Sequence, residues 1–135
     1  MTEDRATMSI GEVAEASGTT PYTLRYYERV GLVPMVERTD AGHRRYRRDH
    51  VDWIRFLKRL RASDMSIRKM RAYTRLVVEG RDNLPRRRRL LRQHLEDIQK
   101  QKEELDAAER LVRSKLEFYD RLEEVEEPVD MVLVF

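Results

Sequence analysis

Residues 9–48 read SIGEVAEASGTTPYTLRYYERVGLVPMVERTDAGHRRYRR, and the order of caps, stops and turns in this stretch decides the fold. Ser9 and Glu12 have capping-box spacing, with a hydroxyl placed to accept the third helical N–H and a carboxylate reaching back to the cap. A first helix is predicted to start there, with Ile10, Val13 and Ala14 as its apolar stripe and Gly18 as a left-handed stop. Thr20 and Pro21 restart it: an N-cap hydroxyl, then a residue whose fixed φ and missing N–H suit the first helical position. The second helix is predicted to run to about Val30, stopped by Gly31 and barred from continuing by Pro34. Leu24 and Val30 are assigned to the core, which leaves Thr23, Arg25, Tyr26 and Tyr27 to divide between packing and the outside.

The chain then turns at Asp40-Ala41-Gly42 and returns as His43-Arg44-Arg45-Tyr46, where alternate side chains point to opposite faces. Asp49, with Asp52 three residues on, is read as the start of a third helix whose Trp53, Ile54, Phe56, Leu57 and Leu60 form a broad apolar face. Ser66 caps a fourth, with Ile67, Met70, Tyr73, Leu76 and Val77 at helical spacing and Gly80 as its stop. Trp53, Phe56 and Tyr73 suit either a core or a small-molecule pocket, and their spacing favours core. Two helices, a tight turn and an Arg-rich hairpin in this order describe a winged helix-turn-helix. A merely solvated basic hairpin has the same composition as a wing that grips a backbone, and the position behind a helix-turn-helix favours the wing.

Composition narrows the classes. The chain has 135 residues, 39% of them charged, which suits one modest domain plus an extension. No stretch approaches the ~20 apolar residues of a membrane span, and MTEDRATM lacks a signal-peptide core, so a cytoplasmic, nucleoid-associated bacterial protein is expected. The absence of cysteine removes disulfides, thiolate metal sites and thiol redox sensing. Residues 1–85 carry 17 Lys+Arg against 12 Asp+Glu (+5), and residues 86–135 carry 11 against 13 (−2), so the potential that attracts phosphate sits in the N-terminal part.

With LRYYE (24–28) and G-x-R-x-Y (42–46) at this separation, followed by paired helices and a long helix ending in KLEFY, the chain resembles the MerR family of transcriptional regulators, in its small, cysteine-free, stress- or aldehyde-regulator-like form. The resemblance implies that Thr23 and Arg25 lie in the major groove, that Tyr26 and Tyr27 contact phosphates or pack at the groove edge with one of the two facing inward, and that Arg44, Arg45 and Tyr46 hold the flanking backbone. Arg is suited to bond two acceptors of guanine at once, whereas Tyr hydroxyls and Arg forks bind phosphate without reading sequence. Glu28 is assigned to an internal ion pair or hydrogen bond rather than to a base contact. Asp64 stands where family members commonly have Gly; Asp tolerates the left-handed conformation, so the turn is expected to survive.

From Pro85 to about Glu124 there is neither Gly nor a further Pro, and strong helix formers dominate. A seam at spacings of four and three runs through Leu91, Leu95, Ile98, Lys102, Leu105, Glu109, Val112, Leu116 and Tyr119. An antiparallel pair with its twofold axis near Leu105 sets Lys102 on Glu109, Ile98 on Val112, Leu95 on Leu116 and Leu91 on Tyr119, whereas a parallel pair stacks like charges. An antiparallel homodimer is therefore expected, as the resemblance also implies. The predicted architecture is mainly α: a winged helix-turn-helix DNA-binding domain (8–80), a coiled-coil dimerisation helix (85–124) and a tail (125–135).

Arg86 to Arg89 oppose the dipole of the helix they begin, so a solvated face or a phosphate contact is expected of them. The ending EEPVDMVLVF turns from acidic to apolar, suited to a groove or to a frayed tail. No nucleophile–base pair, phosphate-cradling Gly loop or metal-ligand spacing is present; His43, His50 and His94 are scattered, and neither an enzyme nor a cofactor is expected. The expected function is a homodimeric regulator that binds a promoter inverted repeat in double-stranded DNA and, as the resemblance implies, distorts it so that RNA polymerase, reached only through the promoter, engages. An architectural, excisionase-like DNA-binding factor and a coiled-coil protein adaptor are the alternatives. The effector is not written in these residues.

Overall fold

The computed structural model describes residues 7–125. The fold is mainly helical: β1 (Thr7–Met8), α1 (Ile10–Ser17), α2 (Pro21–Arg29), β2 (Glu37–Arg38), β3 (Arg44–Arg47), α3 (Arg48–Ala62), α4 (Ile67–Glu79), a 3-10 turn (Arg81–Asn83) and α5 (Leu84–Glu123). It divides into two compact units, the second beginning at Leu95, although α5 runs unbroken through the junction. No helix among the described residues is long and apolar enough to cross a membrane.

Local chemistry sets the helix ends in the first unit. The Glu12 N–H donates to Ser9 Oγ and the Ser9 N–H to Glu12 Oε1, each at 3.2 Å, which completes the capping box. These bonds hold the Glu12 carboxyl below its ordinary 4.5, so their contribution is present above that value and is lost as the pH falls through the depressed one. Gly18 ends α1 at φ 70, and Lys58 Nζ and Arg55 from α3 donate to the carbonyls of Gly18 (2.5 Å) and Ala16 (2.6 Å). It is the backbone angle that calls for glycine there, since the one near atom a Cβ would meet, Lys58 Nζ at 3.0 Å, ends a flexible side chain. Asp64 adopts φ 72, the left-handed turn expected of it, and the next N–H, that of Met65, returns to the Leu60 carbonyl at 2.9 Å.

Two differences from expectation arise from pairing that is distant in sequence. β3 is the central strand of a β1-β3-β2 sheet: Met8 lies opposite Tyr46, and Arg38 opposite Arg44. α3 starts at Arg48 rather than Asp49, because His50 serves its start: the Arg47 N–H donates to His50 Nδ1 at 2.8 Å, while His50 Nε2 donates to the Pro34 carbonyl at 2.7 Å. The start of α5 also belongs to the first unit, which runs to His94: Leu90 packs against the core and the buried His94 ring nitrogen Nε2 lies 2.8 Å from Ser63 Oγ.

The core gathers Val13 and Ala14 of α1, Leu24 and Tyr27 of α2, Leu32, Tyr46 of β3, Ile54, Leu57 and Leu60 of α3, Met65, and Met70 of α4. Trp53 stacks on Tyr73 (centroids 5.9 Å apart, 11° between planes), Phe56 packs against both, and Trp53 Nε1 donates to the Leu32 carbonyl at 2.8 Å. These three rings flank the core and line an open groove with Met35 and Val77.

Arg87 accounts for one of the four cations in the Arg86–Arg89 run. Its Nε donates to Asn83 Oδ1 at 2.8 Å, and its terminal nitrogen donates to the carbonyls of Leu76 (3.1 Å) and Gly80, so it closes the C-terminal end of α4. Arg87→Ala is expected to lower stability by about 1–3 kcal/mol, because the carbonyls and Asn83 lose a shared charged donor. Arg87→Lys should recover little of this, since an ammonium cannot reproduce the planar fork. Urea unfolding of the three proteins measures both.

In the second unit α5 is a single helix with its apolar side chains on the surface of the chain: Leu95 is 53% exposed, Leu105 69%, Leu111 73%, Val112 59% and Leu116 57%. Glu109 and Arg113 approach to 3.4 Å one turn apart, and Lys115 Nζ lies over the Phe118 ring. The expected role of the acidic-to-apolar ending falls on residues 126–135, outside the described residues.

Candidate nucleic-acid interface

α2 sits on the core through Leu24 and Tyr27, and this fixes which side chains it presents outward. The Thr20 side chain accepts the Thr23 N–H at 3.1 Å, and the Thr20 hydroxyl donates to Thr23 Oγ1 at 3.1 Å, so the start of α2 is well capped. Arg25 and Arg29 are exposed, Tyr26 is at the surface with Arg29 over its ring at 5.7 Å, and Thr23 is half-buried. Tyr22 is 78% exposed. The sequence reading passed over it, although it follows Pro21 directly, at the end of a recognition helix that characteristically approaches base edges.

The hairpin brings its arginines to the same side. Arg25 with Arg44, Arg45, Ser9, Thr39 and His43 lines one groove, and Arg25 with Glu28, Arg29, Arg38 and Arg44 lines a neighbouring one. Glu28 forms the internal ion pair assigned to it, bonded to the Arg44 guanidinium and 3.7 Å from that of Arg38. One carboxylate thus ties both wing strands to α2. Arg38 also donates to the Gly42 carbonyl at 3.0 Å, bracing the turn of the wing.

Two of the residues expected to contact DNA do not point outward. Tyr46 is fully buried: β3 is covered on that face by the helices, so its ring joins the core instead of reaching a backbone. Tyr27 is the inward member of the Tyr26–Tyr27 pair, at 7% exposure. Burial raises both phenols above their ordinary 10.0, so both are neutral near pH 7. Of the residues expected at the interface, Arg25, Arg44 and Arg45 line one groove, Arg29 and Arg38 join Arg25 and Arg44 at its neighbour, and Thr23 and Tyr26 lie on α2 beside Arg25.

Among the described residues no group of three His, Asp or Glu is placed to hold a metal ion. Residues 8–77 match the family of MerR helix-turn-helix regulatory proteins, and residues 51–114 match the MerR DNA-binding family. The chain belongs to the MerR family. It therefore carries the helix-turn-helix DNA-binding region of a MerR regulatory protein. Within this family it is 44% identical over 84 residues to the HTH-type transcriptional regulator AdhR of Bacillus subtilis, a match that takes in 62% of this chain and 60% of AdhR. It is 30% identical to an HTH-type transcriptional regulator of Haemophilus influenzae, covering 85% of each. Among solved MerR structures it resembles HiNmlR, a regulator lacking the sensor domain and bound to promoter DNA, with a TM-score of 0.80 at 28% identity over 88% of this chain and 94% of that one.

Proposed function

We propose that this MerR-family protein regulates transcription as an antiparallel homodimer that binds an inverted repeat in promoter DNA. The observation that carries the reading is the convergence of Arg25 and Arg29 from α2 with Arg38 and Arg44 from both wing strands on one slot, with Arg45 in the adjoining groove. Helix and wing offer separate sets of side chains, as contact with a groove and with its flanking backbone requires. In this reading Tyr22, Thr23 and Arg25 face base edges, and Tyr26, Arg38, Arg44 and Arg45 hold phosphates. The likeness to HiNmlR, a protein solved on promoter DNA, supports the same docking.

The second unit supplies the dimer. α5 has 40 residues, roughly 60 Å at 1.5 Å per residue, and its seam of exposed Leu95, Leu105, Val112 and Leu116 with half-buried Ile98 is suited to a second copy in the register centred on Leu105. A coil of fixed length sets the spacing of two reading heads. Bending the DNA between them costs on the order of a few kcal/mol, which the added contacts offset, and RNA polymerase is engaged through the altered promoter.

The test is a footprint and a salt-dependent titration on the DNA flanking the protein's own gene. A protected inverted repeat is expected, with affinity falling linearly in log salt. Arg44→Ala should make the slope shallower by about one unit for each protomer. Binding with no protected repeat on any fragment of that region, and the same affinity for random duplex, would overturn a promoter-specific role there.

A further inference from the structure

Among the described residues the buried hydroxyl of Tyr46 has no hydrogen-bond partner, although its ring is well packed. A buried polar group left unpaired calls for a reason. Its position supplies one. Arg44 and Tyr46 are two residues apart on β3, so their side chains share a face of the strand. On that face the Arg44 guanidinium is bonded to Glu28, whose side chain is 20% exposed. The Tyr46 phenol accordingly feels the charges of Glu28, Arg44, Arg25 and Arg38.

The slot above it is lined by Arg25, Arg29, Arg38 and Arg44 around a single carboxylate, that of Glu28. Four guanidinium groups about one anion form a site for a phosphodiester, and the free protein already places an anion in it. A phosphate that takes Arg44 and Arg38 leaves the Glu28 carboxylate partly buried and short of donors, which is costly unless another donor replaces them. The Tyr46 hydroxyl is a donor without an acceptor, on the same face. We propose that Arg38 and Arg44 form a backbone-phosphate slot held by Glu28 in the free protein, and that Glu28 transfers to the Tyr46 hydroxyl when a DNA phosphate enters. Tyr46 is then a positioning residue: it never touches DNA, and it stabilises the displaced carboxylate only in the bound state. The inference rests on the DNA-binding reading and adds an exchange of partners beneath it.

The exchange is tested with the full-length protein and random-sequence duplex DNA at low salt, which isolates phosphate contacts. Tyr46→Phe is expected to weaken binding by roughly 10- to 100-fold, the order of one buried hydrogen bond to a charged group, while the melting temperature stays level or rises because an unpaired hydroxyl is gone. In a Glu28→Ala background the same change should have no effect on affinity, since no carboxylate is left to receive the hydroxyl. Tyr46→Phe binding as tightly as wild type overturns the proposal. So does an equal loss in both backgrounds, which is the mark of a packing role. A Glu28→Ala protein that no longer binds also overturns it, because the carboxylate is proposed to compete with phosphate. Wild-type protein that does not bind duplex DNA at low salt sinks the DNA-binding reading itself, a result distinct from these.

Discussion

Arg25→Ala lowers operator affinity by about 10- to 100-fold, the expected cost of removing one guanidinium that reads guanine. Arg25 is exposed on α2 and lines both grooves, and no ion pair among the described residues engages it. Its loss should therefore leave the fold untouched, with the melting temperature within about 1 °C of wild type, as for surface changes away from caps and core. The comparison with random-sequence DNA separates two roles. If Arg25 contacts a base edge, affinity for the operator falls much more than affinity for random duplex, and discrimination at one position relaxes. If it contacts a phosphate, both fall by the same factor and the salt slope becomes shallower. Arg44 makes a useful contrast, because its guanidinium is bonded to Glu28 in the free protein and its removal also releases the wing from α2. Operator binding unchanged by Arg25→Ala would remove α2 from the reading surface.

Lys102→Glu should raise the dimer dissociation constant by about 10- to 100-fold. In the antiparallel register each Lys102 meets Glu109 of the other copy, so a twofold-symmetric dimer contains the pair twice. A single exposed pair contributes only about 0.2–1 kcal/mol, but reversal replaces two attractions with two repulsions inside a seam flanked by Leu105 and Ile98. Glu109 has an alternative partner in Arg113 at 3.4 Å, and since both side chains are mostly exposed this contact is a weak competitor. Adding Glu109→Lys restores opposite charges across the seam and should return the constant to near its original value. Sedimentation equilibrium over a concentration series measures all three proteins. A double variant no tighter than the single one would overturn this register, while leaving open other dimers formed through the exposed Leu95, Leu105, Val112 and Leu116.

The helices of the first unit were legible because their signals are local. Ser9 with Glu12, Thr20 with Pro21, Ser66, Gly18 and Asp64 act within four residues of themselves, so their chemistry is the same in the sequence as in the fold. Tyr22 carries a local signal of the same kind, its place directly after Pro21 at the start of α2. What the tertiary structure alone decided was which face of each element turned inward. Alternation along β3 separates Arg45 from Arg44 and Tyr46, but it does not say which set meets the core; that depends on the helices packed against the strand, and they bury Tyr46 completely. Tyr26 and Tyr27 present the same ambiguity on a helix, resolved by the packing of α2. The strand β1, the bond of His50 to the Pro34 carbonyl, the Glu28 link between α2 and the wing, and the closing of α4 by Arg87 share one cause. Each joins groups that meet only after the chain has folded, and no periodicity or cap within one element announces a partner that lies in another.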